Sequence, residues 1–275
     1  MSLVTTTLLD TSKGIVEFSY RGVGPAVLLI KGGHSTRETE FSHSSLIYEG
    51  FSLLTVSRPG YDYTERSTGK TPVEFADTII EVLDHLNIER VNVIAISTAG
   101  PTGLALAAFY PERVSKLIME AAETTSRMDE EGNKLLSTPT ERILLSSLRQ
   151  LLKLFPDVAM KHLLNKWTTE DAEDYLEKLS PNDRRFIYDL LDTSRSGKGI
   201  LPKGEQTDFD IGHLETPVLG MYSQKDKKVQ YTHALLLKSL VPDCEIFEVD
   251  ADSHLIWIGK DARQVWDKRL EFLTQ

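Results

Sequence analysis

Ala95-Ile96-Ser97-Thr98-Ala99-Gly100 sets a serine between small residues, at the point where an apolar stretch gives way to a run rich in glycine and alanine. A serine that projects from a sharp strand-to-helix turn needs small side chains two positions before and after it, because larger ones collide across the turn. Ala95 and Ala99 meet that need. The hydroxyl is protonated at neutral pH, so it attacks a carbonyl carbon only when a positioned base takes its proton. Serines between small residues are common, and the motif acquires chemical meaning only if a base and an orienting acid exist elsewhere.

Of the seven histidines, His43, His85, His162 and His233 fall in predicted helices, His213 in a polar linker and His34 in a glycine turn. His254, in Asp250-Ala251-Asp252-Ser253-His254-Leu255, follows the last predicted strand and precedes the final helix, and it comes after both serine and acid in the chain. The acid that would hold its tautomer and stabilise the imidazolium is best supplied by Asp226, just past another buried strand, with Val229 opening the next helix. Asp252 and Glu123 are the rivals. Attack on a carbonyl puts negative charge on oxygen, which calls for preorganised backbone donors. Lys31-Gly32-Gly33-His34 offers the Gly33 amide and Thr98 the second, while His34 is a candidate to line the pocket.

These loops need a scaffold that delivers them to one edge. Ala26 to Ile30, Leu53 to Val56, Val91 to Ile96, Leu117 to Met119 and Val218 to Tyr222 are apolar without alternation, as strands buried on both faces are, and Cys244 to Val249 adds another. Thr5 to Leu9 and Ile15 to Tyr20, joined by a turn over Asp10 to Gly14, predict an antiparallel hairpin at the sheet edge. Helices are predicted over Pro72 to Leu86, Gly100 to Tyr110 and Asp261 to Leu273. The expected fold class is therefore α/β, a mainly parallel sheet with helices on both faces. From about Glu123 the rhythm of strand and helix stops and leucine-rich helical text takes over, with one start marked by Ser180-Pro181-Asn182-Asp183. The spacing predicts a core formed by 1–122 and 211–275, and an inserted helical cap with its return linker over 123–210.

The chain has 275 residues, 40% hydrophobic and 26% charged, with a formal charge of −10. That balance fits a globular protein and argues against a nucleic-acid partner, which needs clustered Lys and Arg. Cys244 is the only cysteine, so neither an intramolecular disulfide nor a thiolate metal cluster is available. No apolar run approaches the ~20 residues of a membrane span, and Met1 to Thr7 lacks the features of a secretory signal, which predicts a cytoplasmic protein with no membrane partner.

With serine, aspartate and histidine in this order, each after a strand, and Ser57-Arg58-Pro59-Gly60-Tyr61 after the fourth, the chain resembles the α/β-hydrolase superfamily. The resemblance implies an eight-stranded core, a lid over the site, no cofactor and no metal, and a small-molecule acyl substrate. Two residues depart from the family pattern: Lys31 replaces a frequent histidine, and Asp62 stands where glycine often follows the tyrosine. Serine in place of an aspartate nucleophile turns the expectation away from dehalogenase and epoxide hydrolase chemistry. Acyl-enzyme hydrolysis of a small carboxylic ester is expected. Carbon–carbon bond hydrolase, aminopeptidase-like and perhydrolase activities remain open alternatives, as does a slow-turnover ligand receptor or signalling protein on the same fold.

Overall fold

The computed structural model describes residues 6–125, 139–195 and 209–275. Eight strands form one sheet: β1 (Thr7–Thr11), β2 (Gly14–Gly22), β3 (Ala26–Ile30), β4 (Ser52–Val56), β5 (Val91–Ile96), β6 (Val114–Glu120), β7 (Val218–Tyr222) and β8 (Cys244–Glu248). Their order across the sheet is β1-β2-β4-β3-β5-β6-β7-β8. β3 to β8 run parallel, while β2 is antiparallel to both β1 and β4. All five residues of β3 and all six of β5 are buried, which is why those stretches read as unbroken apolar runs.

Helices cover both faces. α1 (Pro72–His85), α2 (Gly100–Phe109) and α7 (Thr232–Leu240) pack through Phe75, Ile79, Leu104 and Leu237 into one hydrophobic cluster. α8 (Ala262–Thr274) contributes Val265 and Phe272 to the other. The same second cluster takes in Leu152, Leu164, Tyr175 and Ile187 from α3 (Pro139–Leu154), α4 (Pro156–Trp167), α5 (Ala172–Lys178) and α6 (Pro181–Thr193), the four helices among the described residues between β6 and β7. α1 starts as its sequence predicts: Pro72 occupies the first turn and Thr71 Oγ1 accepts from the Glu74 amide at 3.0 Å. α6 opens on a capping box in which Ser180 and Asp183 exchange hydrogen bonds. α2 lies so close to the sheet that a methyl group on Gly103 would sit 2.8 Å from Ala95 Cβ. Among the described residues no helix is long and apolar enough to cross a membrane.

Several boundaries differ by a few residues from the sequence expectation, and three of the differences bear on how the elements are held. β1 runs on to Thr11, with Asp10 paired to Ile15, so the hairpin turn narrows to Ser12 and Lys13. β6 extends to Val114 and Glu120, because Lys116 carries its ammonium out to the Phe272 carbonyl at 2.8 Å and Glu120 finds buried partners. α7 begins at Thr232 rather than Val229, since the Asp226 side chain captures the amides of Lys228 and Val229 at 2.7 and 2.8 Å and holds them in a turn. Thr5 and, within the insertion and return linker expected over 123–210, residues 126–138 and 196–208 lie outside the described residues.

Candidate active site

The loops that leave β3, β5, β7 and β8 meet at the carboxyl edge of the parallel strands, where this kind of sheet gathers its functional groups. Ser97 follows β5 directly and holds φ at +53°, a left-handed conformation costing roughly 1–2 kcal/mol in a residue with a side chain. The turn is packed from beneath by Gly32, where a methyl group would come within 2.3 Å of the Ile96 carbonyl oxygen and 2.9 Å of Ser97 Cβ. Only glycine allows the β3 loop to approach this closely.

His254, on the loop after β8, lies with Nε2 3.1 Å from Ser97 Oγ and Nδ1 2.7 Å from Asp226 Oδ2. With the proton on Nδ1 donated to the carboxylate, Nε2 is left to accept the serine proton. All three side chains are buried, Ser97 the most open of them at 7% exposure. Asp226 divides its acceptors: Oδ2 takes the imidazole while Oδ1 takes the Lys228 and Val229 amides, so the carboxylate is fixed from both sides. The rival acids stand elsewhere. Asp252 pairs with Lys225 Nζ at 2.6 Å, and Glu123 follows β6, its amide donating to the Ser97 carbonyl at 2.9 Å.

The glycine turn is pinned on both sides of Gly33. Its carbonyl accepts from the Arg58 guanidinium and from Tyr61 Oη at 3.2 Å, and Arg58 itself lies 4.5 Å above the Tyr61 ring. Its amide donates to Thr98 Oγ1 at 2.8 Å, a bond the sequence gives no hint of. That amide therefore faces the Ser97 turn. His34 is half-buried beside this turn; burial, and then the neighbouring Arg58 charge, push its imidazole down to about 4, and its carbonyl accepts the Arg195 amide at 3.0 Å. Lys31 is buried, with Nζ donating to the carbonyls of Arg37 at 2.7 Å and Thr39 at 2.5 Å. Asp62, at φ +49°, adopts the backbone that glycine favours, held there by Ser57 Oγ at 2.8 Å and the Arg37 amide at 3.1 Å.

Two tryptophans that composition and motif leave unmarked touch the imidazole. Trp167, at the end of α4, and Trp257 meet the His254 ring edge-on at centroid distances of 5.2 and 6.2 Å. Among the described residues no group of three or more His, Cys, Asp or Glu side chains converges as a metal site requires.

The fold and this edge cluster define an α/β protein with a strand-to-helix serine turn, and comparison with known proteins agrees. Residues 25–260 match the model of the alpha/beta hydrolase fold family, to which the chain belongs. An uncharacterized hydrolase of Bacillus subtilis (strain 168), YcgS, is 33% identical over 270 residues, covering 94% of this chain and 95% of that protein. A 2-hydroxy-6-oxononadienedioate/2-hydroxy-6-oxononatrienedioate hydrolase of a Pseudomonas species is 26% identical over 195 residues, 64% of this chain and 69% of its own. Among solved structures, an alpha/beta hydrolase fold protein from Nakamurella multipartita superposes with a TM-score of 0.79 at 23% identity, over 97% of this chain and 98% of that one.

Proposed function

We propose that the chain is a serine hydrolase that cleaves a small carboxylic ester through an acyl-enzyme. The observation that carries this reading is the unbroken chain of contacts from Asp226 through His254 to Ser97, at 2.7 and 3.1 Å. Ser97 Oγ attacks the carbonyl carbon as its proton passes to His254 Nε2, and Asp226 holds the imidazolium that forms. The carbonyl oxygen gathers negative charge and is met by the amides of Gly33 and Thr98, the former exchanging Thr98 Oγ1 for the oxyanion. His254 then returns the proton to the departing alcohol. Water, deprotonated by the same imidazole, releases the acid and restores the serine.

The helices α3 to α6 act as a cap, with His34 on the wall of a pocket beneath it. The choice of acyl group belongs to that cap, which differs in kind from the sheet that carries the chemistry. Turnover of chromogenic esters of graded acyl length is expected in the wild-type protein and absent in Ser97→Ala. Tight binding of a small ligand with no turnover of any ester would favour the receptor reading instead.

A second reading keeps the three residues and exchanges the ester for a carbon–carbon bond beside a ketone. The likeness to the Pseudomonas hydrolase of an oxo-dienedioate favours it. Parallel assays on short-chain esters and on an oxo-dienoic acid separate the two by their ratio of kcat/KM.

A further inference from the structure

Among the described residues four helices stand between β6 and β7, and one point on them touches both loops that carry the base and its acid. The Trp167 carbonyl, at the last position of α4, accepts the backbone amide of His254 at 2.9 Å and that of Lys227, next to Asp226, at 3.3 Å. One acceptor thus fixes the spacing between the loop of residue 226 and the loop of residue 254. The contact is continued on either side. Thr168 forms a β-bridge with Asp226 and donates its hydroxyl to the Asp252 carbonyl, and the Thr169 amide donates to the Lys225 carbonyl at 3.0 Å.

The side chain adds to what the backbone does. The Trp167 indole stands edge-on to the His254 ring at 5.2 Å and 75°, and Trp257 also meets it edge-on, at 6.2 Å and 89°. Trp257 is itself fixed by Nε1 donating to Glu120 Oε2 at 2.5 Å, so one wall is rigidly part of the sheet and the other belongs to α4. The contacts with Asp226 and Ser97 restrain the two ring nitrogens but do not by themselves fix the tilt of the ring about the line joining them. Two aromatic contacts limit this freedom, and a displacement of about 1 Å in a reacting group costs on the order of a hundredfold in rate.

From this arrangement we infer that Trp167 is a positioning residue for His254, and that the α4–α5 junction is part of the scaffold aligning the base with Ser97. The inference rests on the reading of His254 as the base. It gives these helices a role in the chemical step besides any in choosing substrate.

The test is a comparison of Trp167→Ala and Trp167→Phe. The alanine variant is expected to lower kcat for ester hydrolysis by about tenfold to a hundredfold with KM changed less than about threefold, while phenylalanine, which restores a ring edge, recovers kcat to within about threefold. A second readout does not depend on turnover: the downfield proton resonance of the His254 Nδ1–H to Asp226 bond, recorded in a Ser97→Ala background. It should broaden or vanish when Trp167→Ala is added and return with Trp167→Phe; if the alanine variant does not fold, Trp167→Leu takes its place. An unchanged kcat with a raised KM, or a resonance indifferent to residue 167, overturns the inference. Absence of ester turnover in the wild-type protein with the resonance still sensitive to residue 167 would overturn the proposed function and leave the positioning role standing.

Discussion

The carboxylate of Glu120, at the end of β6, meets the guanidinium Nε of Arg269 on α8 at 2.6 Å, and neither side chain has more than 1% exposure. The same carboxylate takes Trp257 Nε1 and lies 2.9 Å from His43 Nε2. Burial alone would push this carboxyl up, but the Arg269 charge, with His43 behind it, outweighs burial and holds it well below the usual carboxylate range. Glu120 is therefore an anion that ties the last helix and the wall beside His254 to the sheet.

Breaking that pair by Glu120→Gln leaves Arg269 buried without its counter-charge and is expected to cost about 3–5 kcal/mol in urea unfolding at pH 7. The double variant Glu120→Gln/Arg269→Met should cost less than the two single changes added together. The pH dependence has a definite sign. A depressed folded-state carboxyl contributes stability above the unfolded value, about 4.3, and loses it as pH falls through and below that point. The advantage of the wild type over Glu120→Gln should thus shrink on acidification; an advantage that grows towards pH 3 would contradict the assignment.

Gly32 and Gly33 make a matched pair of tests. A methyl group at 32 would meet backbone atoms of Ile96 and Thr98 at 2.3 and 2.7 Å, so Gly32→Ala is expected to lose roughly 1–3 kcal/mol and to distort the Ser97 turn. At 33 a methyl group meets nothing within 4 Å, and the cost is limited to the left-handed backbone at φ +55°, about 1–2 kcal/mol. Thermal melts and the rate of ester hydrolysis should both rank Gly32→Ala as the more damaging change. The opposite ranking would place the close approach elsewhere.

Lys31 offers a test at alkaline pH. Burial, its largest influence, pushes the amine down to about 8, whereas in the unfolded chain it stays protonated to about 10.4. Between those values the unfolded chain binds more protons, so the stability linked to this residue rises with pH across that window and is flat below it. The difference in unfolding free energy between wild type and Lys31→Met should therefore shift in favour of the wild type from pH 8 to pH 10. A constant difference would mean that the amine titrates as it does in water.

The parts of this molecule that composition and spacing disclose are those governed by local rules. Buried parallel strands such as Ala26–Ile30 and Val91–Ile96 carry their burial in unbroken apolar text, and the Ser97 turn carries its own in the alanines on either side. Ser97, Asp226 and His254 could be singled out because residue type and order after successive strands restrict the choice. What stayed hidden depends on distant partners. A glutamate ending an apolar strand gives no sign that an arginine on the last helix will neutralise it, and nothing near Trp167 indicates that its carbonyl will serve two loops much later in the chain. The Gly33–Thr98 bond was invisible for the same reason, since it joins the ends of two strands that only the sheet makes neighbours.

The most direct test of the proposed chemistry is covalent labelling by a fluorophosphonate, read by intact mass and by peptide mapping. A serine activated by His254 should take up one phosphonyl group at Ser97, with labelling abolished in Ser97→Ala and slowed by at least about a thousandfold in His254→Ala. Labelling that maps to another residue, or that proceeds at the wild-type rate without His254, would contradict it.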